Sequence, residues 1–228
     1  NALIAVYDKT NPNAEDAKVL WSWHLWCTPV PQIIEYTAPR TGHEYTIMDR
    51  NVGATTSTLG LVTTQGLQYQ FGRKDPFTTS LDYDEEVAVF LRNVRSDSLP
   101  HLFSYGQVEY FPSLTVKTIY DPCPIGYKVP PVDALILKMK SYSQYEHGGI
   151  YYAGEEGDNT KLINMPAVHS AYYAYGTSIA YWTSSDFGKP NSTFEWGEFG
   201  VMHTYYPGSY TLRYNAFARP GSIRCVKE

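Results

Sequence analysis

The chain contains no uninterrupted run of apolar residues long enough to cross a bilayer, so it offers no candidate transmembrane helix. It has neither a CxxC nor an HExxH pattern, which removes the usual zinc and thioredoxin-type readings. No G-x-S-x-G elbow presents a nucleophile, and no glycine-rich loop stands ready for a phosphate. Charge is scarce: 18% of residues are charged, against roughly 25% in an ordinary globular protein. Acids outnumber bases for a formal net charge of −5, which argues against nucleic acid, whose phosphates call for a basic face. The three cysteines form an odd set that by itself decides nothing about redox compartment.

What the chain has instead is aromatic surface. Aromatics make up 15% of its 228 residues, and 21 of them are tyrosines. Tyrosine joins a flat apolar ring to a polar tip at low entropic cost, so an excess serves strand cores and binding faces equally well. A chain of this length buries enough surface to fold without staples. No fixed-period repeat or low-complexity linker divides it, so the expectation is one domain over residues 1–228. It opens directly on an apolar stretch with no leader pattern, which suggests a mature or cut fragment.

Leu3 to Tyr7 and Lys18 to Trp26 read as two strands joined by a polar loop. Alternation in the second puts Val19, Trp21, Trp23 and Leu25 on one face and Leu20, Ser22, His24 and Trp26 on the other. Both faces carry indoles, so the expectation is that both are covered and that His24 is a hydrogen-bonded buried histidine. Pro29 to Arg40 reads as an irregular connector, Glu44 to Arg50 as a strand and Thr55 to Thr64 as a loop. Helical spacing of Val87, Phe90, Leu91 and Val94 predicts a short helix over 84–94. Asp133 ahead of ALILKMK predicts a second, capped by that aspartate. Further strands are expected at Ser178 to Ser184, Phe194 to His203, Tyr210 to Ala216 and Ser222 to Val226.

Five motifs stand out in order: WSWHLW (Trp21 to Trp26), MDRNVGA (Met48 to Ala54), YQFGRKDPF (Tyr69 to Phe77), DPCPIGYKVP (Asp121 to Pro130) and GSIRCVKE (Gly221 to Glu228). Together they resemble the bacterial major paralogous domain, the FISUMP family of surface and fimbrial tip proteins. The resemblance implies an α+β fold, with a C-type-lectin-like mixed sheet, few short helices and long loops. It implies an N-terminal elaboration with a β-hairpin over 1–116 and a lectin-like core over 117–228, together the C-terminal part of a longer secreted protein. In that arrangement the final strand returns beside the strand of DPCPIGYKVP. If those strands pair, Cys123 and Cys225 come within disulfide reach, although two buried free thiols would fill the same space. Cys27 is expected to be a buried, unpaired thiol.

Lys189-Pro190-Asn191 occupies the place of the lectin calcium motif, but lysine replaces an oxygen ligand. An ammonium contributes nothing to a calcium shell of six to eight oxygens. GEEGDN (Gly154 to Asn159) lacks EF-hand spacing and reads as a solvated loop, while Arg50, Arg73, Lys74 and Asp75 read as ion pairs that knit loops to the core. Ser184 and Ser185 read as structural.

The function implied is a non-enzymatic adhesin or fimbrial tip module on the bacterial cell surface, recognising a glycan or a host surface protein without metal or cofactor. A purely structural pilus subunit, contacting other pilus subunits, is the rival of the same class. A formylglycine-generating-type oxidase is the enzymatic rival and would need a reactive cysteine pair. The expected ligand patch is the loop-rich span holding Tyr151, Tyr152, Tyr172, Tyr173, Tyr175, Trp196, Tyr205 and Tyr206. Alternation sends one member of each Tyr-Tyr pair inward.

Overall fold

Strands β1 (Ala2–Tyr7) and β2 (Val19–Leu25) form an antiparallel hairpin, its loop fastened by the Asp8 carboxylate, which accepts from the Lys18 amide at 2.8 Å. The computed structural model describes residues 1–69, 74–76, 117, 119, 121–143, 148–166, 178–184, 198–205, 210–216 and 221–228. The expected helix over 84–94 and the Lys189-Pro190-Asn191 motif lie outside them.

A four-stranded sheet follows in the order β3-β4-β12-β5, from β3 (Ile33–Thr37), β4 (Glu44–Met48), β5 (Tyr127–Lys128) and β12 (Val226–Lys227). The segment read as an irregular connector therefore contains a strand. Pro29 and Pro31 come before it and Pro39 after it, and Ile33 to Thr37 between them pairs residue for residue with Glu44 to Met48. β12 lies between β4 and β5, with Val226 opposite both Ile47 and Lys128. A three-stranded meander, β6 (Lys138–Ser143), β7 (Gly148–Tyr152) and β8 (Leu162–Pro166), forms the next sheet. The last joins β9 (Ser178–Trp182), β10 (Glu198–Tyr205) and β11 (Tyr210–Ala216) in the order β11-β10-β9.

This overturns the expected α+β fold with a lectin-like mixed sheet. The structure is nearly all β, in small antiparallel sheets, and no described helix reaches seven residues. The second expected helix shows why. Ala134, Leu135 and Leu137 are all buried, so the segment lacks the polar face that an amphipathic surface helix needs. Asp133 does not cap it either. Its carboxylate is taken by Thr41 and Tyr45 across the β3–β4 turn. One 3-10 turn over Val132–Leu135 is all that forms before the chain extends into β6.

Two buried clusters hold the described sheets together. The first packs Tyr36 and Ile47 against Leu135, Tyr151, Ile163 and Tyr181. The second gathers Met48, Val52, Tyr69, Trp182 and Ile223 around the Cys123–Cys225 pair. Close approach fixes the loop between them. Gly66 has φ +73°, and a Cβ there would stand 2.5 Å from the Val52 carbonyl oxygen.

Candidate functional site

The DPCPIGYKVP segment is a turn built by its own charges. Tyr127 N–H donates to the Pro124 carbonyl at 3.0 Å, closing a β-turn whose third residue, Gly126, sits at φ +81°. The Asp121 carboxylate accepts from the Cys123 amide at 2.8 Å and the Val129 amide at 2.9 Å. From the other side the Lys117 ammonium donates to the carbonyls of Cys123, Pro124 and Tyr127. Burial pushes Asp121 up and Lys117 down from their ordinary pKa values, while their mutual attraction at 3.8 Å works against both shifts. Cys123 is bridged to Cys225, with 5.9 Å between their Cα atoms. Turn and C-terminal strand are thus covalently joined.

GSIRCVKE contributes Arg224, which is 1% exposed and lies inside the molecule. Its Nε donates to Asn51 Oδ1 at 2.8 Å, and its two terminal nitrogens to the carbonyls of Met48 at 3.2 Å and Asn164 at 2.6 Å. Asn51 Oδ1 also accepts from the Tyr181 hydroxyl at 3.0 Å, and Asn51 Nδ2 donates to the Gln65 carbonyl at 3.0 Å. Burial raises the Tyr181 pKa, leaving the phenol a donor. One guanidinium therefore joins the loop after β4, strand β8 and, through Asn51, strand β9. In MDRNVGA, Arg50 holds both oxygens of Asp49 and reaches Thr28 and the Thr55 carbonyl. Trp182 donates from Nε1 to the Tyr69 carbonyl at 2.7 Å.

Ser22, Lys74 and Asp75 make the arrangement nearest in appearance to a catalytic one. Ser22 Oγ donates to Asp75 Oδ2 at 2.5 Å. The Lys74 ammonium donates to the Ser22 carbonyl at 2.6 Å, to Ser22 Oγ, and to Asp75 Oδ1 at 2.9 Å. A lysine giving away its protons in this way is no general base, and Ser22 is buried within a strand. The cluster instead fastens β2 to the GRKDP segment. His24 does similar work, bonded to Asn1 at 3.0 Å and to the Tyr69 hydroxyl at 3.2 Å, with its pKa lowered chiefly by burial. It is half-buried rather than enclosed.

Of the expected ligand patch, β7 carries two members. Tyr151 is fully buried in the first core cluster, so it cannot touch a ligand and leaves the patch. Tyr152, next along the strand, is half-buried on the opposite face. Tyr205 ends β10, and Tyr172, Tyr173, Tyr175, Trp196 and Tyr206 lie outside the described residues. Two further readings are corrected. Cys27 is exposed, not buried. Trp23 is 48% exposed, not covered. A register shift between Val6 and Tyr7 sets Val19 opposite Tyr7 and breaks the simple alternation expected of β2.

A polar cluster not anticipated from sequence lies at the β3–β4 turn. Asp133 Oδ2 accepts from Thr41 Oγ1 and from the Tyr45 hydroxyl at 3.2 Å, and stands 3.5 Å from His43 Nδ1. Burial, followed by the charge of Asp133, pushes the Tyr45 pKa up to about 12. The only sequence signal was Asp133 itself, read as a cap. GEEGDN is an exposed loop in which Asp158 bonds Thr160 and Glu156 pairs with Lys138 at 2.9 Å. Among the described residues no three His, Cys, Asp or Glu side chains converge as a metal site, and no helix is long and apolar enough to cross a membrane.

No protein-family profile matches this chain, and neither the curated proteins nor the solved structures contain a significant match to it.

Proposed function

We propose that this chain is a non-enzymatic binding module displayed outside a bacterial cell, of the FISUMP type, which recognises a glycan or a host surface protein without metal. The observation that carries the reading is how its motifs are used. Arg224, Arg50, Lys117, Asp121, Lys74 and Trp182 are all engaged by backbone carbonyls, backbone amides or neighbouring side chains that fix loops to the sheets. Side chains consumed in this way make a rigid frame rather than a reaction centre. A rigid frame carrying variable loops is what a recognition module requires. The Cys123–Cys225 bridge supports an oxidising compartment outside the cytosol. It also leaves Cys27 as the free thiol, short of the reactive pair that the oxidase reading needs.

Ligand contact is then assigned to Tyr152, Tyr172, Tyr173, Tyr175, Trp196, Tyr205 and Tyr206, with Tyr152, at the end of β7, the one whose surroundings are described. The test is a glycan and host-matrix binding screen of the purified chain, with and without EDTA. Binding that survives EDTA and falls at least tenfold when Tyr152, Tyr172, Tyr173, Tyr175, Tyr205 and Tyr206 become alanine is the expected outcome. Binding abolished by EDTA, or untouched by those substitutions in a folded protein, contradicts the reading. The structural pilus subunit remains the second reading, favoured by the uncovered apolar face of the β1–β2 hairpin.

A further inference from the structure

A lysine gives up the water around its ammonium only where the protein replaces it. The Lys117 side chain is 20% exposed. Its ammonium has three N–H donors, and three backbone carbonyls take them: Cys123, Pro124 at 2.8 Å and Tyr127 at 2.6 Å. The Asp121 carboxylate, 6% exposed, stands 3.8 Å away and supplies the opposing charge, to which Glu228 adds. Carbonyl oxygens and a carboxylate converging on one positive centre are how proteins hold hard cations.

We infer that the DPCPIGYKVP turn is a monovalent-cation site whose native occupant is the Lys117 ammonium, a tethered ion in the place a bound structural ion takes elsewhere. The cage is held by bonds that do not involve Lys117. Asp121 is fixed by the Cys123 and Val129 amides, and Tyr127 N–H closes the turn on the Pro124 carbonyl. Glu228 N–H donates to the Gly126 carbonyl at 3.1 Å, Tyr127 and Lys128 pair with β12, and Cys123 is bridged to Cys225. With the ammonium removed, the carbonyls still converge beside a buried carboxylate. Charge then selects the valence. One enclosed carboxylate balances one positive charge, and three carbonyls with that carboxylate fall short of the six to eight oxygens calcium takes. A turn carrying its own cation needs none from the medium.

The cage is independent of what the chain binds elsewhere. Urea titration of Lys117→Ala beside the native chain tests it. In tetramethylammonium chloride, whose cation is too bulky for the cage and donates no hydrogen bond, the variant midpoint should fall by about 1 M. Ammonium or potassium chloride at the same concentration, up to about 0.3 M, should restore about half of that loss or more, with ionic screening equal in all three salts. The concentration is high because a free ion lacks the advantage of the tether. The native chain, its site already filled, should show no difference among the salts. A variant midpoint equal to the native one, or the same in all three salts, overturns the inference. Rescue by calcium chloride and not by ammonium or potassium overturns the choice of a monovalent ion. Should the alanine variant fail to fold, Lys117→Met keeps the apolar stem and gives the same comparison. The native chain also supplies a measurement that needs no variant. Under brief acetylation by an activated ester, read by peptide mass, Lys117 should react at least about tenfold more slowly than Lys138, whose side chain is 58% exposed. Equal rates would show that the ammonium leaves the cage freely and would overturn the inference.

Discussion

Arg224 is a buried cation that satisfies backbone and amide oxygens rather than a carboxylate. Its removal leaves the Met48 and Asn164 carbonyls without that donor inside the protein. Arg224→Ala should therefore cost about 3 kcal/mol or more of unfolding free energy. Arg224→Lys should recover only part of this, because a single ammonium cannot span three acceptors on three segments. Urea titration checks both, and a loss below about 1 kcal/mol for the alanine variant would show that the network is dispensable. The sequence made Arg224 conspicuous through its motif, and Trp182 through its strand. It did not reveal that either is an interior fastener, because their partners, such as Asn51, Asn164 and Tyr69, are remote along the chain. Asp133 shows the same limit from the other direction. Local pattern marked it as a helix cap, and a hydroxyl on residue 41 and a phenol on residue 45 claimed it instead.

At the scale of elements, the hairpin, β4 and β9 to β11 were legible, since period-two alternation or turn-bounded β-rich runs marked each of them. β3 was hidden among its prolines, β6 began inside the segment read as the second helix, and β7 and β8 lay in a region dominated by glycine, tyrosine and short polar runs. The link between the β3–β4 turn and the 3-10 turn has a pH signature. Tyr45 has its pKa pushed up to about 12 in the folded protein, against about 10 in an unfolded chain. Between those values the folded state keeps a proton that the unfolded state has lost. The stability it contributes is fully present below pH 10 and is lost as pH rises through 12. Tyr45→Phe should make the fall in the urea midpoint over this window shallower, and an unchanged slope would remove Tyr45 from the account. The bridge between the β5 turn and β12 closes a sequence separation of 102 residues. Its reduction should lower stability by about 4–5 kcal/mol. Matched urea curves of oxidised and reduced protein measure this, and coincident curves would mean that the bridge constrains nothing.

For the molecule as a whole, the five motifs converge on one arrangement. An aromatic and disulfide-centred core is surrounded by loops whose charged groups have been turned inward to hold backbone. Expected from sequence were the scarcity of charge, the strand-rich C-terminal half and the structural use of Arg50, Lys74 and Asp75. The helix expected after Asp133 and the lectin-like sheet were not realised, because Ala134, Leu135 and Leu137, read as a helix face, are buried in a chain that extends instead. The proposed function rests on a frame closed by the Cys123–Cys225 bridge, and this is tested most directly by counting thiols. The chain is isolated from its native cells with an alkylating agent present, denatured without reductant and titrated for free thiol. One thiol per chain, from Cys27, is the predicted result, with Cys123 and Cys225 appearing only after reduction. Three free thiols from the native source would contradict the bridge, the compartment and the frame built on them.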